Sequence, residues 1–422
     1  MELTRTHVIV ILLVTILVVT SLGVAEFLNR ANDQAGYKAQ AEKIYSDAVS
    51  QVERIRNVTL PRVPLVVVNK AWAIKTWGTD AAAPDLQNIN RTERIYKGLF
   101  LMPENSSLYQ ATVNWVGDFV AVTWESKIYV IQENFDPWNM PDAEATFVHE
   151  LTHIMQGQMA FQPPDPPTFD GDRAHTALIE GDATYMQNLF VNQSAASPSA
   201  VPQVSAGSAF GPAGWVLLGE PLVPGLCGEI PKSVSNFDYF PYSYGPDFIG
   251  AAYSKGGWAA VNALYRNQPN TTAQVLDPQK YFAGQDAQEV TAPTLTESGW
   301  KQIRNDRYGQ YFIQVMLADW LPSDQAQKTA SAWAGDNFSY YERGADYLFT
   351  WNISWSSPQN ASQFRSAFQN MANAAGATNE TANSWQSSGR YLKIEWNPSF
   401  NFTLIVCSNN ETALQQTFSD QG

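Results

Sequence analysis

Four histidines occur in the 422 residues: His7, His149, His153 and His175. Two of them bracket a glutamate in His149-Glu150-Leu151-Thr152-His153. In a helix, positions i and i+4 lie about 40° apart around the axis and about 6 Å along it, so both imidazoles reach one metal ion. Glu150 sits on the turn between them, able to address a water held by that ion. Zn2+ suits this donor set, and a catalytic zinc site needs a third protein ligand with the fourth position open. A metzincin would place a third histidine at residue 159, which is Met159 here. Glu180, in Ala177-Leu178-Ile179-Glu180-Gly181-Asp182-Ala183-Thr184, fits a His2Glu set, and Gly181 and Ala183 would let its helix approach the first closely. Asp170, Asp172 and His175 compete for the third place. The two aspartates sit in a Pro- and Gly-containing loop, where capping a helix is the simpler account. His175 is about 140° from Glu180 around a helix, and Asp182 about 200°, so neither readily shares its ion. Packing or a cap explains Asp182 as well as a role in orienting a histidine does.

The elements that must position these groups can be read coarsely. A helix is expected over 31–57, with Tyr37, Ala41, Ile44, Ala48, Val52 and Ile55 on one stripe, either a stalk or the first helix of the domain. Strands are expected at Leu65–Val68, Tyr96–Met102, Phe119–Trp124 and Lys127–Gln132, runs rich in Val, Ile, Tyr and Trp. The His-Glu-His helix should run from Asp142, its N-cap, to Met159, and the Pro-rich loop 162–172 ends it. A second helix is expected over Arg173–Asn192. Residues 194–243 show no period. Helices are expected at Pro246–Arg266, Trp300–Leu321, Ala326–Ala334 and Asn360–Ala375. Strands are expected at Leu348–Trp355, Tyr391–Trp396 and Phe402–Val406.

His-Glu-Leu-Thr-His with a downstream glutamate on a second helix resembles the thermolysin-like gluzincin metallopeptidases. More specifically, VHELTHIMQGQ (148–158) followed by ALIEGDATY (177–185) is similar to a group of secreted prokaryotic zinc metallopeptidases carrying H-E-L-x-H-x-x-Q and then A-L-x-E-G-D-A-T. Phe240-Pro241-Tyr242 with Gly245 and Phe248, Gly256-Gly257-Trp258, PNTTAQVLDPQKY (269–281) and Trp333-Ala334-Gly335-Asp336 with Tyr341 resemble further segments of that group. The resemblance spans about residues 115–410 and departs at Asp277, where the pattern has His, and at Gln156-Gly157-Gln158, where it has Q-D-Q. It implies an α+β, gluzincin-like fold: a small β-sheet, the HExxH helix and a mostly helical C-terminal part. It implies an edge strand, here Lys127–Glu133, that accepts an extended peptide. It also implies peptide-bond hydrolysis in which Glu150 assists attack by a water held on Zn2+, with His149, His153 and Glu180 as ligands. A donor must stabilise the oxyanion. No histidine remains for this beyond His175, so Tyr242 and Tyr244 are the candidates.

Composition bounds the rest. With 26 Lys+Arg against 40 Asp+Glu and net charge −14, nucleic acid is excluded as the main partner. Residues Val8 to Ala25 are uncharged and almost wholly apolar, which fits an N-terminal transmembrane helix, with a cleavable signal as the second reading. Eleven Asn-x-Ser/Thr sequons and only two cysteines, Cys227 and Cys407, accord with an extracellular chain carrying one disulfide or two free thiols. The expected divisions are 1–30 anchor or signal, 31–60 helical stalk, 61–193 β-sheet with both zinc-binding helices, 194–243 irregular, 244–347 helical subdomain and 348–422 C-terminal α/β segment. The expected protein is a zinc metallopeptidase acting on proteins or peptides, single-pass in the cell membrane with its catalytic domain outside, or else secreted. Two alternatives stand beside it: a catalytically inactive glycosylated surface protein on the same scaffold, and a zinc hydrolase with a non-peptide substrate.

Overall fold

The computed structural model describes residues 34–159, 164–195, 230–291, 295 and 299–419. Helix α1 (Gln34–Arg56) opens this part of the chain. Its stripe Tyr37, Ala41, Ile44, Ala48, Val49 and Val52 is buried, packed with Phe147, Leu151 and Met155 in one of two main hydrophobic cores. The helix is packed into this core and does not stand free as a stalk: a stripe of six apolar residues gains more by burial than a free-standing helix could.

Three strands follow, β1 (Leu65–Val68), β2 (Ala121–Trp124) and β3 (Lys127–Ile131), in the order β1-β3-β2. Strand β3 pairs parallel with β1 and antiparallel with β2. The expected edge strand is thus the central one, and the outer strands are β1 and β2. The parallel β1–β3 pairing crosses some sixty residues of intervening chain, a contact no local pattern encodes. Helices α2 (Leu86–Gly98) and α3 (Leu108–Val116) lie in that crossover. The run 96–102, expected as a strand, is the end of α2 and the turn after it, since Ile95, Tyr96 and Leu99 form a helical face as readily as a strand.

The His-Glu-His segment lies in α4 (Met140–Gly157). Asn139 stands at the cap position and its amide bonds the Asp142 carboxylate one turn in, so Asp142 belongs to the first turn rather than to the cap. Helix α5 (Phe169–Ala195) carries Glu180 and contributes to both cores: Ala174, Ala177 and Leu178 to the larger, Met186 and Phe190 to the smaller. Helix α6 (Lys232–Leu264) runs through Pro241 and Pro246 and breaks at Gly256–Gly257, where Gly257 has φ 61°. Of the region expected as irregular, 194–195 belong to α5 and 232–243 to α6, and 196–229 lie outside the described residues. Pro241 and Pro246 conceal α6 because a missing N–H is tolerated where packing holds the chain.

The C-terminal part is an antiparallel sheet, not a helical subdomain. Its strands are β4 (Lys301–Asp306), β5 (Trp333–Arg343), β6 (Asp346–Trp355), β7 (Thr378–Thr381), β8 (Ser384–Ser387), β9 (Arg390–Trp396) and β10 (Phe402–Ser408). Their order is β4-β5-β6-β10-β9-β8-β7. Helices α7 (Gly309–Ala318), α8 (Ser323–Ala330) and α9 (Pro358–Ala374) accompany it, and α10 (Glu411–Ser419) ends the described chain. The expected boundary at 347/348 cuts the β5–β6 hairpin, and the helices expected at 300–321 and 326–334 each include a strand segment. The hydrophobic runs around Trp333 and Tyr340 carry aromatic residues that suit a helix face and a strand face alike. Asp336 is buried and accepts from the Tyr308 and Gly309 N–H groups, both at 2.9 Å, and from Trp333 and Trp351 Nε1, both at 2.8 Å, pinning the start of α7 to the sheet.

No helix among the described residues is long and apolar enough to cross a membrane. The segment 8–25 lies outside the described residues. The described structure therefore gives no support to the expected N-terminal transmembrane helix or single-pass membrane placement: the described fold is α+β, and each of its long helices carries charged side chains along its length, which a span of about 20 apolar residues excludes. Cys227 also lies outside the described residues. Cys407 is a free, buried thiol in β10, pushed up to about 11 by burial.

Candidate metal centre

Helix α4 turns His149 and His153 toward α5, where Glu180 meets them. His149 Nε2 lies 3.1 Å from His153 Nε2 and 3.2 Å from Glu180 Oε2, and His153 Nε2 lies 3.4 Å from the same oxygen. An ion bound tetrahedrally at about 2.0–2.1 Å from each ligand needs donor separations of about 3.3 Å. The triangle of 3.1–3.4 Å matches one face of that tetrahedron. Two imidazole nitrogens and one carboxylate oxygen are a donor set that zinc accepts, and a fourth position is left for water or substrate. Burial alone would hold His153 neutral. The facing Glu180 carboxylate, with Glu150 and Gln156 behind it, overrides this and raises its pKa to about 10. Burial would raise Glu180, yet the two imidazoles hold it well below the usual carboxylate range. Each shift is set by the other group across the triangle.

Glu150 is buried beside the triangle. The Thr123 hydroxyl on edge strand β2 donates to its Oε2 at 2.7 Å and lies 3.1 Å from its backbone carbonyl. Helix α4 and outer strand β2 are therefore tied at the residue expected to act as base. Tyr242 on α6 stacks on His149, ring centroids 6.3 Å apart and planes at 26°, and its hydroxyl bonds Glu180. Burial, then the Glu180 and Glu150 carboxylates, raise its pKa well above the phenol range, so it stays a donor. Tyr244 is not at the site. Two residues on, it faces about 200° away around the helix. It packs on Phe240 and Tyr311 and bonds Gln314.

The remaining candidates for the third ligand point elsewhere. Asp170 is buried and accepts from Thr272 N at 2.8 Å, Thr272 Oγ1 at 2.6 Å and Arg307 Nε at 3.0 Å. Asp172 pairs with Arg173, and His175 Nδ1 meets Gln268 Oε1 at 2.6 Å. Asp182 points away from the triangle and pairs with Arg56 at 2.6 Å, with both side chains at most 1% exposed. Gly181 faces α6 rather than the HExxH helix: a Cβ there would lie 2.7 Å from Gly245 Cα.

Several groups at the site were given no role by the sequence. Gln156 Oε1 lies 2.8 Å from His153 Nδ1, and its Nε2 donates to the Ile179 carbonyl at 2.9 Å. Gln156 also bonds Tyr265, whose hydroxyl donates to Asp182 Oδ2 at 2.8 Å. Thr123, Tyr265 and Arg56 belong to no motif. Only Gln156, three residues after His153, lies where helix periodicity returns a side chain to the same face. His149 Nδ1 is buried and has no partner among the described residues.

A family model described as a domain of unknown function, DUF8575, matches residues 295–404. That stretch is most of the seven-stranded sheet with α7, α8 and α9, and it contains none of α4, α5 or α6. No curated protein and no solved structure matches the chain.

Proposed function

We propose that the chain is a zinc-dependent metallopeptidase of gluzincin type that hydrolyses peptide bonds. The observation that carries this is the 3.1–3.4 Å triangle of His149, His153 and Glu180 with the Glu150 carboxylate buried at its side. Bound there, Zn2+ would supply Lewis-acid polarisation of the scissile carbonyl and lower the pKa of a water. Glu150 takes a proton from the attacking water and returns it to the leaving amide nitrogen. Thr123 holds the Glu150 carboxylate in place for both transfers. Tyr242, kept protonated by its surroundings, donates to the developing oxyanion. An extended substrate adds to the open edge of β2, which brings its backbone past Thr123 and Glu150. An intact Glu150 weighs against an inactive scaffold.

The test couples metal content with turnover. The purified chain should hold one zinc per molecule and cleave a peptide library, and Glu150→Gln should keep the zinc while losing turnover by about 10²–10⁴-fold, the usual worth of a general base. His149→Ala should lose the metal. Wild-type turnover in Glu150→Gln, or a wild-type chain without affinity for zinc, rules the proposal out.

A further inference from the structure

His153 is the last member of the triangle on α4, and what lies behind it is a one-way chain of hydrogen bonds. The Ile179 carbonyl can only accept, so Gln156 must turn its NH2 group toward it. That leaves Gln156 Oε1, also only an acceptor, facing His153 Nδ1 at 2.8 Å. His153 Nδ1 therefore carries a hydrogen, and Nε2 is the nitrogen offered to the triangle. The next link has the same polarity. The Tyr265 hydroxyl gives its single proton to Asp182 Oδ2 at 2.8 Å, so in its bond with Gln156 it can only accept. Asp182 is in turn anchored by Arg56 Nη1 at 2.6 Å. Arg56 Nη2 donates to Asn262 Oδ1 at 2.8 Å, and the guanidinium lies 4.0 Å from the Trp258 ring centroid. The bonds that link His153, Gln156 and Tyr265 run one way toward the Asp182 carboxylate, and Arg56 Nη1 meets that carboxylate from the other side.

The geometry points to Gln156 as the positioning residue that fixes the His153 ring, and to Tyr265, Asp182 and Arg56 as the chain that holds Gln156. Helix α1, in which Arg56 is the last residue, is then part of the metal centre's support. Residues hydrogen-bonded behind a ligating histidine fix its tautomer and ring orientation, and their loss weakens metal binding without removing a ligand. In this chain the support is an amide backed by a phenol and a buried ion pair, and it spans four separate helical segments. A buried pair that only packed the fold would have no need of an oriented tyrosine between it and a histidine.

This inference rests on the proposed zinc site, and one of its two measurements needs no metal. In protein labelled with 15N at its four histidines, the His153 Nδ1–H should exchange slowly with water in the wild type. It should exchange fast in Gln156→Leu and Tyr265→Phe. Zinc titrated against a competing chelator should bind about 10–100-fold more weakly to Gln156→Leu, and more weakly to Tyr265→Phe by a smaller factor. Circular dichroism and thermal midpoint identify any variant that has not folded, and Asp182→Asn, which keeps the volume, then takes its place with the same expectation. Unchanged exchange and unchanged zinc affinity in folded Gln156→Leu overturn the positioning role. Unchanged values in Tyr265→Phe overturn the chain behind it. If the wild type binds no zinc, the proposed function fails, and the exchange comparison still decides the inference.

Discussion

Gly181 and Gly245 meet backbone to backbone where α5 crosses α6: a Cβ built on either lies 2.7 Å from the other's Cα. The contact stands one residue from Glu180 and three from Tyr242, so the two side chains converge because the two helices can touch. A methyl on Gly245 would also come within 2.5 Å of the Ala177 carbonyl. The neighbours are backbone atoms, which cannot swing aside.

Gly181→Ala and Gly245→Ala are therefore expected to force the helices apart, costing about 1–3 kcal/mol as overpacking does, and to weaken zinc binding with it. Alanine normally favours a helix by about 1 kcal/mol over glycine, so the sign is diagnostic. Thermal denaturation measures it, and a rise in the midpoint would contradict the close crossing.

Thr123→Val removes the hydroxyl that holds the Glu150 carboxylate while keeping the shape of the side chain. Turnover should fall about 10–100-fold, the worth of a hydrogen bond to a charged group, with zinc content unchanged. A parallel loss of zinc would show that Thr123 supports the fold of the site and not the base.

Tyr242→Phe and Tyr244→Phe separate the two tyrosines. The first should lower kcat by about 10²–10³-fold, as loss of one oxyanion donor does, and leave zinc bound. The second removes a bond to Gln314 far from the triangle and should leave kcat near the wild-type value. Equal kinetics in the two variants would remove Tyr242 from the mechanism.

A chelator should lower the thermal midpoint, and added zinc should restore it, because an ion that binds only the folded chain stabilises it by RT ln(1 + [L]/Kd), about 2.7 kcal/mol at a hundred times Kd. Glu180→Ala should abolish the zinc-dependent part of the shift. Calorimetry with and without metal reads both, and a shift that survives in Glu180→Ala would assign the ion to another site.

Asp319, just past the end of α7, is half-buried with Oδ1 unpartnered among the described residues. Burial pushes its pKa up to about 6, against the pull of Lys232. Between about pH 4 and pH 6 the folded chain then holds a proton that the unfolded chain has released, so this group's contribution to stability falls as pH rises through that window. Asp319→Asn should stabilise the protein above pH 6 by about 1–3 kcal/mol and flatten its pH dependence from 4 to 6. Urea denaturation at both ends of the window is the measurement, and an Asn variant less stable at pH 7 would contradict it.

The sequence by itself determined what depends on neighbouring residues. The i, i+4 spacing of His149 and His153 places both imidazoles on one helix face whatever surrounds it, and the helical period from Arg173 onward leaves Glu180 and His175 on different faces. The apolar stripe of α1 is legible for the same reason, although its partner is not. Tertiary structure decided everything that joins distant segments. The pairing of β3 between β1 and β2 left β2 an outer strand beside α4, with Thr123 as the partner of Glu150. Packing of Phe240 and Tyr244 on Tyr311 turned Tyr242 toward Glu180. Strand β5 is held in the sheet by pairing with β4 and β6, where its aromatic content alone suited a helix as well. The Arg56–Asp182 pair joins residues 126 positions apart. No local pattern carries such a pairing, since burying two charges is favourable only once the surrounding fold supplies every partner they need.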